Sequence, residues 1–331
     1  MLTLPNVLAG IILIALTAYV LLGGADFGGG VWDLLASGPR KAQQRDLVAR
    51  AIGPVREANH VWLILAMVLL FTCSPTAFAT IAIALHIPLT LLLIGIVLRG
   101  SAFVFQSYGG GGGRVFATAS LITPVLLGIC VGAVASGELG AVSGESFYAT
   151  YVATWLTPFA IAVGVFALVC FAFLAAVYLT LEATGAELQE DFRWRAIVSE
   201  VAVVAMAAAG LALFQTAPKV HVGIVSLAGA AAIATCGSLW RRRYRLARMG
   251  AAAQVTLIVL GWGLAQYPNI LPPSLTIAAA AAPRVTLELA LIAVVAGAVV
   301  LLPSLYYLFK IFKSSGNPSA VPPTTPPARR Q

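Results

Sequence analysis

The chain has 331 residues, 60% of them hydrophobic and only 10% charged, against about 25% charged in ordinary soluble domains. That balance excludes a soluble enzyme and identifies an integral membrane protein made of repeated apolar runs, each long enough to cross roughly 30 Å of hydrocarbon. The net charge of +8 does not point to nucleic acid, because the basic residues gather in short segments beside apolar runs, where they set topology.

The first apolar run, Leu4 to about Phe27, lacks a basic amino-terminal region and is longer than the core of a signal peptide, so it reads as a retained span. Gly28-Gly29-Gly30 are expected to end it, and Arg40, Lys41, Arg45, Arg50 and Arg56 follow. A second helix is expected over about Glu57 to Thr80 with a kink at Pro75, and a third over Ile83 to Phe105. Gly109 to Gly113 reads as a linker, since no strand precedes it and no Lys-Ser/Thr follows. Further spans are expected over Val115 to Ala135, Tyr151 to Leu181, a stretch ending near Thr216, a stretch ending at Trp240, Ala251 to Gln266, and Val285 to Phe312. Cys73, Cys130, Cys170 and Cys236 lie in or near separate apolar stretches without a CxxC pair, so they read as small core residues rather than a disulfide framework or metal site. The fold expected is therefore all-α and polytopic, with about nine transmembrane helices. Residues 1–313 form the helical domain, and the Pro-rich segment 314–331 a disordered cytoplasmic tail.

The segments after the first, third, fifth, seventh and ninth helices hold 17 Lys or Arg, while the opposite side holds only Lys219 and Arg284. The positive-inside rule then places the amino terminus outside and the carboxyl terminus in the cytoplasm. The remaining basic residue, Arg99, falls within the third apolar run, so its guanidinium sits in the inner half of the bilayer and requires a carboxylate. Asp26, late in the first helix, and Glu57, at the head of the second, lie on that same side.

The stretch Ile52 to Leu70 runs from a polar cluster straight into an apolar helix. Ionisable groups in a spanning helix are costly and mark a functional site by default. Glu57 and His60, three residues apart, share one helical face; Asn59 and Trp62 share another, expected to pack. Glu57, Asp26, Arg99 and His60 are thus the candidates for a proton entry from the cytoplasm, against the simpler alternative that Arg56 and Glu57 are a solvated helix start among headgroups.

Five segments carry a resemblance that spans nearly the whole chain: GADFGGGVWDLL (Gly24 to Leu35), IGPVREANHVWLI (Ile52 to Ile64), LRG around Arg99, YLTLEATGAEL (Tyr178 to Leu188) and YPNILPPSLTI (Tyr267 to Ile277). Together they resemble subunit II of the cytochrome bd-type quinol oxidases, in the cyanide-insensitive branch. The resemblance implies two four-helix bundles plus one extra helix in a bacterial cytoplasmic membrane. It also implies a heterodimer whose partner, subunit I, carries haems b and d and oxidises quinol. This chain would hold no haem or metal of its own, and a structural quinone and membrane lipid are further companions the family allows. On this pattern the acid at the head of the second helix falls on Glu57, the acid of the first-helix motif on Asp26, and the third-helix arginine on Arg99. The chain departs from the commoner pattern at Gly23, often an acid, at Arg56, often aromatic, and at Ala278 and Ala279, often Trp-Asp. Glu stands in place of Asp at 57, and His60 replaces a neutral polar residue.

Two other classes compete. A secondary transporter would use a broken helix, suggested by GGADFGGG and Pro75, although such breaks belong at the membrane midplane. A b-type cytochrome would need His60, His86 and His221 as axial ligands, yet only His60 is expected near the cytoplasmic side.

Overall fold

A computed structural model of the chain describes residues 3–52, 56–107, 113–141, 146–213 and 222–314. The elements are α1 (Leu4–Leu34), α2 (Lys41–Ile52), α3 (Arg56–Cys73), α4 (Pro75–Ala84), α5 (His86–Ser107), α6 (Gly113–Ser136), α7 (Phe147–Tyr151), α8 (Pro158–Glu182), α9 (Ala186–Leu213), α10 (Val222–Trp240), α11 (Tyr244–Gln266), a hairpin of β1 (Asn269–Leu271) and β2 (Leu275–Thr276), and α12 (Arg284–Ser314). Among the described residues seven helices are long and apolar enough to cross a membrane, or eight if the bent pair α3–α4 is one span. The apolar part of α5, His86–Ala102, is shorter than a span of that kind. The expected nine therefore stand at seven to eight by length and apolarity.

Helix α1 corrects the first expectation. It does not stop at the three glycines but continues through them to Leu34. Glycine weakens a helix because it gains backbone freedom on unfolding, but here tight packing decides. A Cβ at Gly28 would lie 1.9 Å from the Phe171 carbonyl oxygen of α8, and one at Gly30 would lie 2.2 Å from the Ser120 hydroxyl of α6. The glycines let α1 touch two neighbours where any side chain would hold them apart.

The second expected helix is corrected as well. Instead of a kink, α3 ends at Cys73 and α4 departs at 117°. Pro75 opens α4, where its missing N–H costs nothing, with Ser74 at the non-helical N-cap. The Cys73 carbonyl left without a helical partner accepts the backbone N–H of Ala282, at 2.9 Å, from the segment before α12. The fifth expected span likewise starts later, at Pro158, because Thr157 caps it by accepting the N–H of Ala160.

Helices α1, α3, α5 and α6 pack as one group and α8 to α11 as a second, with α1 and α6 laid against α8. Gly128, Gly132 and Gly164 bring α6 and α8 together, each with backbone or small side chains where a Cβ would stand. The main core runs through Tyr19, Phe27, Trp32, Phe171, Phe173 and Phe192. The hairpin, between α11 and α12, pairs Asn269 with Thr276 and Leu271 with Leu275, antiparallel. The chain divides into two compact units, Met1–Ala290 and Leu291–Gln331. The described part of the second is the continuation of α12, an apolar helix with Pro303 inside it. The expected tail beyond Ser314 lies outside the described residues.

A buried ion pair between α1 and α5

Asp26 and Arg99 each lie eight residues before the end of their helices, at Leu34 and Ser107, about 12 Å along the axis. Both are buried, at 4% and 1% exposure, and they meet. Arg99 donates from Nη1 to Asp26 Oδ2 at 2.7 Å and from Nη2 to Oδ1 at 2.6 Å. A second bond from Nη2 reaches the Asp26 backbone carbonyl at 2.8 Å, and Nε donates to Ser120 Oγ at 2.9 Å. The guanidinium also lies 4.4 Å from the centroid of the Phe27 ring and 5.2 Å from that of Phe116. A bidentate, charge-assisted pair with its remaining donors satisfied is the arrangement in which a buried ion pair can be held, and the two aromatic faces replace part of the lost hydration. The carboxylate that Arg99 required is Asp26, one of the two acids, with Glu57, that the sequence offered.

His60 joins the same cluster. It is half-buried, its ring centroid 6.1 Å from that of Tyr19 and 6.4 Å from that of Phe27, so the Phe27 ring has His60 and Arg99 as neighbours. Asn59, one residue earlier, is buried and donates to the Leu22 carbonyl of α1 at 3.3 Å, as the packing face of α3 should. Tyr19 Oη, on the ring beside His60, is buried without a hydrogen-bond partner, so it is a polar atom open to ordered water. Glu57 belongs to the first turn of α3, but its side chain, like that of Arg56, lies outside the described residues. Three of the four candidates are thus brought together. Sequence reasoning missed Ser120, Tyr19 and Phe116; Ser120 is one of several hydroxyl residues in an apolar helix, with Thr118 and Thr123, so little singled it out.

A second polar cluster closes one end of α1 and α9. Arg40 binds Asp191 through Nε and Nη2, at 2.8 and 2.6 Å, and Glu187 through Nη1 at 3.0 Å; the hydrogen bond to Asp191 pushes the Arg40 guanidinium above its ordinary pKa. Gln44 of α2 donates to Asp191 at 3.1 Å and accepts from Arg195 at 2.7 Å. Arg195 lies over the rings of Phe192 and Trp32, and the Trp32 indole N–H donates to the Ala172 carbonyl at 2.7 Å. Arg193 donates to the Leu239 carbonyl at the end of α10, at 2.8 Å, and pairs with Glu190.

Among the described residues the other histidine, His86, makes no comparable site. His86 is exposed, its Nδ1 3.1 Å from the Ile83 carbonyl and its ring edge-on to Tyr151; Lys219 and His221 lie outside the described residues. Among the described residues no three His, Cys, Asp or Glu side chains are grouped to hold a metal ion.

The model of the family described as cytochrome bd terminal oxidase subunit II matches residues 4–312. The chain is 27% identical over 235 residues to the cytochrome bd ubiquinol oxidase subunit 2 of Bacillus subtilis (strain 168), covering 68% of each. Its fold is similar to a chain of the bd oxidase from Geobacillus thermodenitrificans, with a TM-score of 0.73, 20% identity, and coverage of 94% of this chain and 99% of that one. Seven to eight apolar helices, a buried Asp26–Arg99 pair in the glycine-rich motif of α1, and a family match over nearly the whole length lead to one conclusion: the chain belongs to the family of cytochrome bd terminal oxidase subunit II.

Proposed function

We propose that this chain is the haem-free subunit of a quinol:oxygen oxidoreductase. In this reading it holds a haem-bearing subunit I, with haems b and d, and lines a proton entry from the cytoplasm. The carrying observation is Asp26–Arg99, a fully buried ion pair between two apolar helices with His60 beside it. Reducing oxygen to water consumes protons, and charged or hydrogen-bonding groups in the hydrocarbon layer are the physical means of bringing them inward. Glu57, at the head of α3, is the entry acid; His60 and water on the unpaired Tyr19 hydroxyl continue the path; Asp26 receives, with Arg99 holding its charge. The basic segments around Arg45 and Arg243 face the cytoplasm, the amino terminus lies outside, and a structural quinone or lipid fills grooves that this chain forms with its partner.

Oxygen consumption per assembled haem, measured across pH in membranes carrying Glu57→Gln, tests the reading. Normal assembly with turnover slowed several-fold is expected. Wild-type turnover at every pH would reduce Glu57 to a solvated helix start and end the proton-entry assignment.

A further inference from the structure

Helix α10 ends at Trp240, and the connection into α11 carries Arg241, Arg242, Arg243 and Arg245, all exposed. The acid that reaches this turn, Glu190 of α9, is divided between Arg193 and Arg242, the latter at 3.3 Å. Among the described residues Arg241, Arg243 and Arg245 form no ion pair. Like charges held within so short a segment repel, and an anion placed among them relieves the repulsion.

Beside the arginines, the Trp240 ring meets the Trp194 ring of α9 edge-on, with centroids 6.5 Å apart. Arg193 fixes this pair: its buried guanidinium lies 5.5 Å from the Trp194 centroid and 5.8 Å from that of Trp240, and its Nε donates to the Leu239 carbonyl at 2.8 Å. Tryptophan at a helix end next to arginines marks the boundary between hydrocarbon and lipid headgroups. Below that boundary the apolar surface continues. On α9 it passes from Trp194 through Val198 to Val201, and on α10 from Trp240 back to Ile233, all five side chains at least 50% exposed. Val201 and Ile233 each stand two helical turns from their tryptophan, about 10 Å along the axis, so the two strips leave the ring pair to the same depth.

Cations at the rim with exposed hydrocarbon below them fit a molecule that is anionic at one end and apolar along the rest. An acidic protein segment or a free phosphate would satisfy the arginines and leave both strips bare. We propose that the arginine turn and the adjoining faces of α9 and α10 form a docking site for an anionic glycerophospholipid. Its phosphate lies against Arg241, Arg243 and Arg245, and an acyl chain lies along Val198, Val201 and Ile233. The site is built from this chain's own residues and stands apart from the proton entry and from the leaflet in which the turn lies.

The complex, purified in detergent and washed free of loosely held lipid, is titrated with dioleoyl phosphatidylglycerol or dioleoyl phosphatidylcholine, and bound lipid is counted by native mass spectrometry. The wild type should retain more phosphatidylglycerol than Arg241→Gln/Arg243→Gln/Arg245→Gln does, and the lipid lost in that variant should be held about tenfold more tightly than phosphatidylcholine. Because arginines also direct insertion, Trp194→Ala/Trp240→Ala is measured beside it: both rings are exposed and no charge changes. This variant should weaken phosphatidylglycerol retention several-fold, and it decides alone where the arginine variant does not assemble. Phosphatidylglycerol retained equally by the wild type and an assembled variant, or no preference over phosphatidylcholine, would overturn the site. Displacement of the lipid by inorganic phosphate would overturn it too, in favour of a free anion.

Discussion

Ser120 occupies the space that a side chain at Gly30 would need: a Cβ there would stand 2.2 Å from its hydroxyl and 2.3 Å from its own Cβ. The same hydroxyl accepts the Nε–H of Arg99. The glycine run of α1 and the buried ion pair are therefore one construction, in which close approach of α1 and α6 brings the serine to the guanidinium. Gly30→Ala should displace Ser120 and cost about 1 to 3 kcal/mol as an overpacking change. Gly28→Ala should be worse, because it meets the backbone carbonyl of Phe171 at 1.9 Å rather than a movable side chain. Thermal unfolding of the purified complex ranks the two; equal stability of both variants with wild type would contradict this packing.

Sequence showed that Arg99, an arginine in an apolar run, needs an acid at its own level, which left Asp26 and Glu57; the hydrogen bonds to Asp26 choose between them. The continuation of α1 through Gly28-Gly29-Gly30 was not legible, since glycine reads locally as a breaker and only the Phe171 and Ser120 contacts show why it is tolerated. Pro75 announced a disturbance, but its size depends on Ala282, over 200 residues later, satisfying the open Cys73 carbonyl.

Arg40 links the segment after α1 to the start of α9 through Asp191 and Glu187, with Glu187 largely exposed. Screening weakens such a pair. Arg40→Gln should therefore lower the thermal midpoint slightly in dilute buffer, with the difference shrinking in concentrated salt. An equal deficit at both ionic strengths would mean that Arg40 acts through packing.

The turn Arg241–Arg243 between α10 and α11 contains Arg242 in the left-handed region, at φ 56°, on an exposed connection. The distribution of basic residues predicts a cytoplasmic turn here. A reporter inserted after Arg242 should give a cytoplasmic signal, and one joined to the amino terminus an external signal. An external signal at Arg242 would invert the proposed orientation and, with it, the side from which Glu57 could take protons.

Asp26 and Arg99 also separate a structural role from a catalytic one. Removing one partner of a buried ion pair leaves the other charge uncompensated, at a cost on the order of 3 to 5 kcal/mol. Arg99→Leu should accordingly lose most assembled complex, because Asp26 would be left buried without its counter-charge. Asp26→Asn should be milder, since a carboxamide oxygen still accepts from Arg99, although the cation stays unneutralised. Combining Asp26→Asn with Arg99→Gln removes both charges and keeps hydrogen-bonding groups in place, so assembly should recover above that of Arg99→Leu. Turnover decides the rest. If the pair only holds α1 to α5, the double variant should consume oxygen at the wild-type rate per haem. If Asp26 receives protons, the double variant should assemble and remain slow, with the deficit greatest at high pH, where protons are scarce on the entry side.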